Sequence, residues 1–107
     1  MAGRQALARN RLELSARLLE RGALRHTPAG LAALEFKLGH ESEQDEAGAK
    51  RKVQAEIGAI AFEANARLIS GRPLGSEVKV QGFLSAKNKR SKKLTLHVTN
   101  VEFVEGA

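Results

Sequence analysis

The chain of 107 residues contains no cysteine, no tryptophan and no tyrosine, and its only Phe/Trp/Tyr aromatics are four phenylalanines. Without cysteine there is no disulfide, no thiol nucleophile, no thiolate metal site and no iron–sulfur cluster, so nothing points to secretion. Long apolar runs are also missing. The opening stretch MAGRQALARNRLEL carries Arg4 and no uninterrupted hydrophobic segment, and reads as neither a signal peptide nor a membrane span. A soluble, cytoplasmic protein is expected, with no membrane association and a length that suits one core. Catalytic signatures are lacking as well: no GxGxxG, GxxxxGK[ST], GxSxG or HExxH occurs. His26, His40 and His97 stand 14 and 57 residues apart, which is no ligand spacing. The chain is therefore expected to be no enzyme and to carry no metal and no cofactor.

One more absence is local. Between Glu77 and Glu102 there is no acidic residue, while Lys79, Lys87, Lys89, Arg90, Lys92 and Lys93 all fall there. Those six positives equal the formal net charge of +6, and the rest of the chain cancels. Five of them lie in AKNKRSKK, which has nothing larger than alanine to bury and is expected to be a mobile loop. One reading is a solvated hairpin tip that aids solubility. The other is a phosphate-binding finger, since clustered Lys and Arg displace counterions from a nucleic-acid backbone and Asn88 and Ser91 add neutral donors. Concentration of the whole net charge in this segment favours the finger.

Period-two alternation marks Glu77 to Ser85 as a strand, and Lys93 to Glu105 as another. In the latter the apolar parity shifts from Leu94, Leu96 and Val98 to Val101 and Phe103, which predicts a bulge near Thr99 and Asn100. The two strands and the basic loop form a hairpin. Leu31 to His40 reads as a strand after the turn HTPAG, ESEQDEAGAK (Glu41 to Lys50) as a loop, and Lys52 to Ala59 as a strand. Glu63 to Ser70 is a short helix stopped by Gly71, Arg72 and Pro73. Asn10 to Arg21 alternates like a strand, but its Ala, Leu, Arg and Glu content and the face shared by Leu7, Leu14 and Leu18 suit a helix, and pattern alone slightly prefers the helix. With that segment taken as a strand, the order is that of an all-β, five-stranded Greek-key OB barrel with one short helix between strands 3 and 4. The domain spans residues 10–105, behind a flexible tail at 1–9.

The segments NRLELSARLLE, HTPAGLAALEFKLGHES and VKVQGFLSAKNKRSKKLTLHVTNVEF make the chain resemble the PriB family of bacterial replication restart over roughly residues 10 to 104. The resemblance implies a small OB-fold homodimer that holds single-stranded DNA, contacts the primosomal helicase PriA and has no catalytic activity. By position, it places the basic residue of the first inter-strand loop on Arg25 and the basic hairpin tip on Lys87, Lys89, Arg90, Lys92 and Lys93. Lys50, Arg51 and Lys52 join the candidate DNA-binding set from charge and placement alone. Family members commonly carry aromatics near the loop between the second and third strands, where this chain has Gln44 and Val53, and Glu41, Glu43, Asp45 and Glu46 would repel DNA there. Loss of such platforms shifts binding toward phosphates, since stacking is worth roughly 1–3 kcal/mol per base.

Phe83 points away from the core of its strand, either to stack on a base or to be buried against a second subunit. The family's pairing through barrel surfaces favours the dimer interface. Phe36, Phe62 and Phe103, in apolar company, are expected in the core. Arg11 and Arg17 face outward as solvated surface or as an extension of the basic track. Cross-strand pairing with Arg17 and Lys37 accounts for Glu13 and Glu35. A protein–protein interaction module with incidental nucleic-acid affinity and an RNA-binding OB domain remain as alternatives.

Overall fold

The computed structural model describes residues 8–104; residues 1–7 of the expected tail lie outside them. Six strands and one helix follow in order: β1 (Leu12–Arg21), β2 (Arg25–His26), β3 (Ala32–Glu46), β4 (Ala49–Phe62), α1 (Glu63–Ser70), β5 (Glu77–Ala86) and β6 (Leu94–Phe103). The two-residue β2 pairs with β3 and is additional to the five strands of the barrel. It shifts the numbering, so the helix expected between the third and fourth barrel strands lies between β4 and β5.

Closure of the barrel depends on β1. Its first half pairs antiparallel with β5, from Leu12 opposite Gly82 to Arg17 opposite Glu77. Its second half pairs with β3, from Arg17 opposite Gly39 to Arg21 opposite Phe36. The remaining pairings, β3–β4 and β5–β6 antiparallel and β4–β6 parallel at Gly58–Ile60, complete the OB circuit. The helical composition of the first segment is overridden because Ala16 and Leu18 alternate into the core at 8% and 1% exposure.

Leu18, Leu34, Leu38, Val80 and Leu96 form the fully buried centre, each worth about 1.5–3 kcal/mol of apolar burial. The helix adds Ala66 and Ile69 to it. Phe36 is buried, as expected. Phe62 is not: it is 37% exposed, because Ala59 and Ala61 take the inward parity of β4 and leave residues 60 and 62 facing out. Phe103 is half-buried, packed on the core with the Arg72 guanidinium 3.9 Å above its ring.

The expected loop from Glu41 to Lys50 is instead the end of a long two-stranded ribbon. Register pairing runs without a break from Ala33 opposite Phe62 to Glu46 opposite Ala49. Ala47 and Gly48, at φ 52° and 81°, form the two-residue turn, both in the left-handed region that a type I′ hairpin requires. Beyond His40 the ribbon meets no other strand among the described residues, and nearly every residue of it is exposed. Among the described residues no helix is long and apolar enough to cross a membrane.

Candidate nucleic-acid interface

The basic segment closes as a hairpin tip whose shape its own polar groups fix. The Lys87 N–H donates to the Lys93 carbonyl at 2.8 Å. Asn88 Oδ1 accepts from the Arg90 and Ser91 amides at 2.9 and 2.8 Å, and Ser91 Oγ accepts from the Lys93 amide at 3.3 Å. This is an Asx-type turn within the loop. Asn88 and Ser91 thus act on the finger itself with their acceptor oxygens. Lys87, Lys89, Arg90, Lys92 and Lys93 are all exposed, and none has an ion-pair partner among the described residues.

The other candidate cations are in a different state. Arg25 Nη2 lies 2.9 Å from Glu35 Oε2. Lys50 lies 3.3 Å from Asp45, and Arg51 pairs with Glu46. Lys52 alone of the ribbon set has no such partner among the described residues. Arg11 binds Glu13 at 2.7 Å and Arg17 stands 3.8 Å from Glu77, so neither extends the basic track with uncompensated charge. The carboxylate partners also differ from those expected: Glu35 takes Arg25, while Lys37 stands between Glu20 and Glu56 at 3.9 and 3.8 Å.

Three of the candidates converge. A cleft of about 280 Å³ on the outer face of β4 and β6 is lined by Arg25, Lys87 and Lys93, with Gly58, Ile60 and His97 among its remaining walls. The parallel β4–β6 pairing creates it, setting Gly58 beside Thr95 and Ile60 beside His97. A Cβ on Gly58 would meet no atom within 4 Å, so the cleft is open above bare backbone. Because Arg25 is matched by Glu35, the uncompensated charge of the cleft comes from Lys87 and Lys93. Lys50 to Lys52 do not converge on it. Lys50 is eight residues along β4 from Gly58, roughly 26 Å at the rise of an extended strand. A larger cleft of about 600 Å³, between β1 and the root of the ribbon, includes Glu41, Glu56 and Glu77 and suits a polyanion poorly.

Phe83, expected at a contact between copies, lies 40% exposed and stacks on His97 of its own chain. His40 is held structurally, with Nδ1 2.7 Å from the Ser15 carbonyl and Nε2 2.7 Å from Ser42 Oγ. Among the described residues no group of three or more His, Asp or Glu is placed to hold a metal. Gly58, Ile60 and His97 are the site residues that charge-based reading missed. The outward parity of His97 between Leu96 and Val98 was the available signal.

A family model described as "another single-strand binding protein family" matches residues 10–100. The chain is 52% identical over 98 residues to a replication restart protein PriB of Bordetella pertussis, covering 92% of each. It is 38% identical over 99 residues to that of Nitrosomonas europaea, again covering 92% of each. In three dimensions it superposes on PriB of Ralstonia solanacearum with a TM-score of 0.83 at 32% identity, over 92% of this chain and all of that one. It also superposes on the single-stranded DNA binding protein of Thermus aquaticus with a TM-score of 0.71 at 25% identity, over 92% of this chain and 51% of that one.

Proposed function

The chain belongs to the PriB family of replication restart proteins, within the single-strand binding proteins, and from that premise we propose that it is a single-stranded DNA-binding adaptor of the replication-restart primosome. The observation that carries the reading is the finger: five exposed cations, fixed by an internal turn, without a carboxylate partner among the described residues. Cations in that state exchange small counterions for phosphates, which gives affinity without sequence reading. The cleft behind Lys87 and Lys93 is small and open, so a pliable single strand can bend from the finger into it. A duplex, stiff over about 50 nm, cannot follow that path.

In this reading Arg25 exchanges Glu35 for a phosphate when the strand arrives, and the protein performs no covalent chemistry. Subunits act in pairs, each presenting one basic track, so that the first contact raises the effective concentration of the second. The finger also contacts the helicase PriA. DNA and helicase then compete in part for the same cations.

Anisotropy of labelled single-stranded DNA, single-stranded RNA and duplex oligomers across a salt series, run beside mass measurement in solution, tests this. Single-stranded DNA is expected to bind tightest, with log K falling linearly in log salt. Binding that ignores salt, or none, makes the chain a protein–protein module, and a preference for RNA reassigns the ligand.

A further inference from the structure

The cleft beside the finger contains an anion of its own. Arg25, Lys87, Lys93 and Glu35 are charged walls of it, and Glu35 is the one carboxylate among its lining residues. This acid comes from β3, since the chain between Glu77 and Glu102 has none. Leu34 and Phe36 on either side of it are buried, so the alternation of the strand turns Glu35 outward. Its carbonyl accepts the Gly22 amide at 2.8 Å, and Ile60 of β4, another wall of the cleft, lies opposite it. Arg25 reaches it diagonally across the short β2–β3 pairing, in which Arg25 is opposite Ala33, two residues before Glu35. The contact runs from Nη2 to Oε2 at 2.9 Å, between side chains that are both half-exposed.

A guanidinium binds carboxylates and phosphates through the same planar fork of donors. Glu35 therefore holds the place on Arg25 that a phosphate takes. An exposed pair of this kind is worth at most about fivefold in an equilibrium, so a polyanion can displace it. Displacement costs affinity twice. The pair must open, and the freed carboxylate then faces the phosphates that Lys87 and Lys93 attract. We propose that Glu35 is an internal competitor of the nucleic-acid backbone for Arg25, lowering the affinity of the cleft and speeding release of the strand by taking the guanidinium back. This deepens the reading above and rests on it. The rival is a supporting pair, in which Glu35 merely holds Arg25 in place for the strand.

The probe is a labelled deoxythymidine oligomer, titrated by anisotropy against the whole chain. Glu35→Gln keeps the shape of an outward side chain and removes its charge, so the melting temperature should hold. The variant should bind about two- to fivefold tighter at low salt, with the gain fading as salt screens exposed charges. A chase with unlabelled oligomer should place the gain in slower dissociation. In an Arg25→Gln background the same change should give a smaller gain, because no guanidinium is left to compete for. Glu41→Gln, which removes an equal charge from the ribbon, should leave affinity unchanged. Affinity of Glu35→Gln at or below that of the wild type makes the pair a support and overturns the proposal. Equal gains with and without Arg25, or the same gain from Glu41→Gln, assign the effect to net charge and also overturn it. In these cases wild-type binding leaves the single-strand reading standing, whereas a wild-type protein that binds no oligomer sinks both.

Discussion

The division between paired and unpaired cations predicts a difference in salt response that total charge does not. Each cation meeting a phosphate of a single strand adds about 0.7 to the slope of log K against log salt. If all five finger cations do so they contribute about 3.5, which between 50 and 200 mM salt weakens binding about 130-fold. The triple variant Lys87→Ala/Lys89→Ala/Arg90→Ala removes about 2.1 of that slope and should shrink the loss over the same interval to about sevenfold. The ribbon behaves differently because Lys50 and Arg51 already hold Asp45 and Glu46. Removing both pairs together, as Asp45→Ala/Glu46→Ala/Lys50→Ala/Arg51→Ala, leaves net charge unchanged and should leave the slope unchanged. Anisotropy titrations of one labelled oligomer at four salt concentrations give all three slopes. If the ribbon variant flattens the slope as much as the finger variant does, ion pairing in the structure does not govern phosphate contact, and the assignment of the site to the finger is wrong.

Three stability predictions follow from the backbone. Ala47 sits at φ 52° ahead of Gly48, a position asparagine tolerates better, so Ala47→Asn should raise unfolding free energy by about 0.5–1 kcal/mol in a denaturant titration. A Cβ on Gly82 would lie 1.8 Å from the His97 carbonyl oxygen, whereas one on Gly58 meets nothing within 4 Å. Gly82→Ala should therefore cost about 3 kcal/mol or more while Gly58→Ala stays within about 0.5 kcal/mol, read as the difference between two melting curves. Asn10 clamps the entry to β1 onto β5, donating from Nδ2 to the Leu84 carbonyl at 2.7 Å and accepting the Leu84 amide at 2.9 Å. Asn10→Ala should cost about 1 kcal/mol and speed hydrogen exchange at Leu84 ahead of the other β5 amides.

Most parts of the fold that touch the core were legible, because burial writes itself into the order of apolar residues; β1 was not, since its leucines also share a helical face and its composition suits a helix, although Ala16 and Leu18 are core residues. Glu63–Ser70 is helical over the residues read as helix, and β5 and β6 flank the basic tip as expected. The ribbon was illegible for the same reason in reverse. Past His40 nearly every residue of the ribbon is exposed, so nothing requires apolar residues to alternate there and Glu41–Lys50 looks like a loop. Its turn hid as well, since Ala-Gly stands where Asn-Gly would have announced a hairpin. The finger could be located by counting charges, but the cleft could not. Gly58 and Ile60 meet Thr95 and His97 only through a parallel pairing across some 37 residues of chain, and no local pattern carries that information.

The bulge links the two levels. Gln81 faces Asn100 and Gly82 faces Val98, so Thr99 is the extra residue in β6. Before it Leu96 and Val98 point inward, and after it Val101 does. The parity change read from the sequence is thus the trace of a single inserted residue. Its cost falls on the partner strand, where the His97 carbonyl comes so close to residue 82 that only glycine fits. The same slip decides the outer face. Were β6 in one register throughout, keeping Val101 and Phe103 on the core side would turn Thr95 and His97 inward, and Leu96 and Val98 would face the cleft. The extra residue lets one strand close the core at its C-terminal end and present a histidine ring beside the basic tip at its other. Removing Thr99 should therefore damage both packing and DNA binding, read as a lower melting temperature beside weaker anisotropy titrations, whereas Lys93→Ala, at an exposed and unpaired side chain that leaves the register intact, should weaken only the binding.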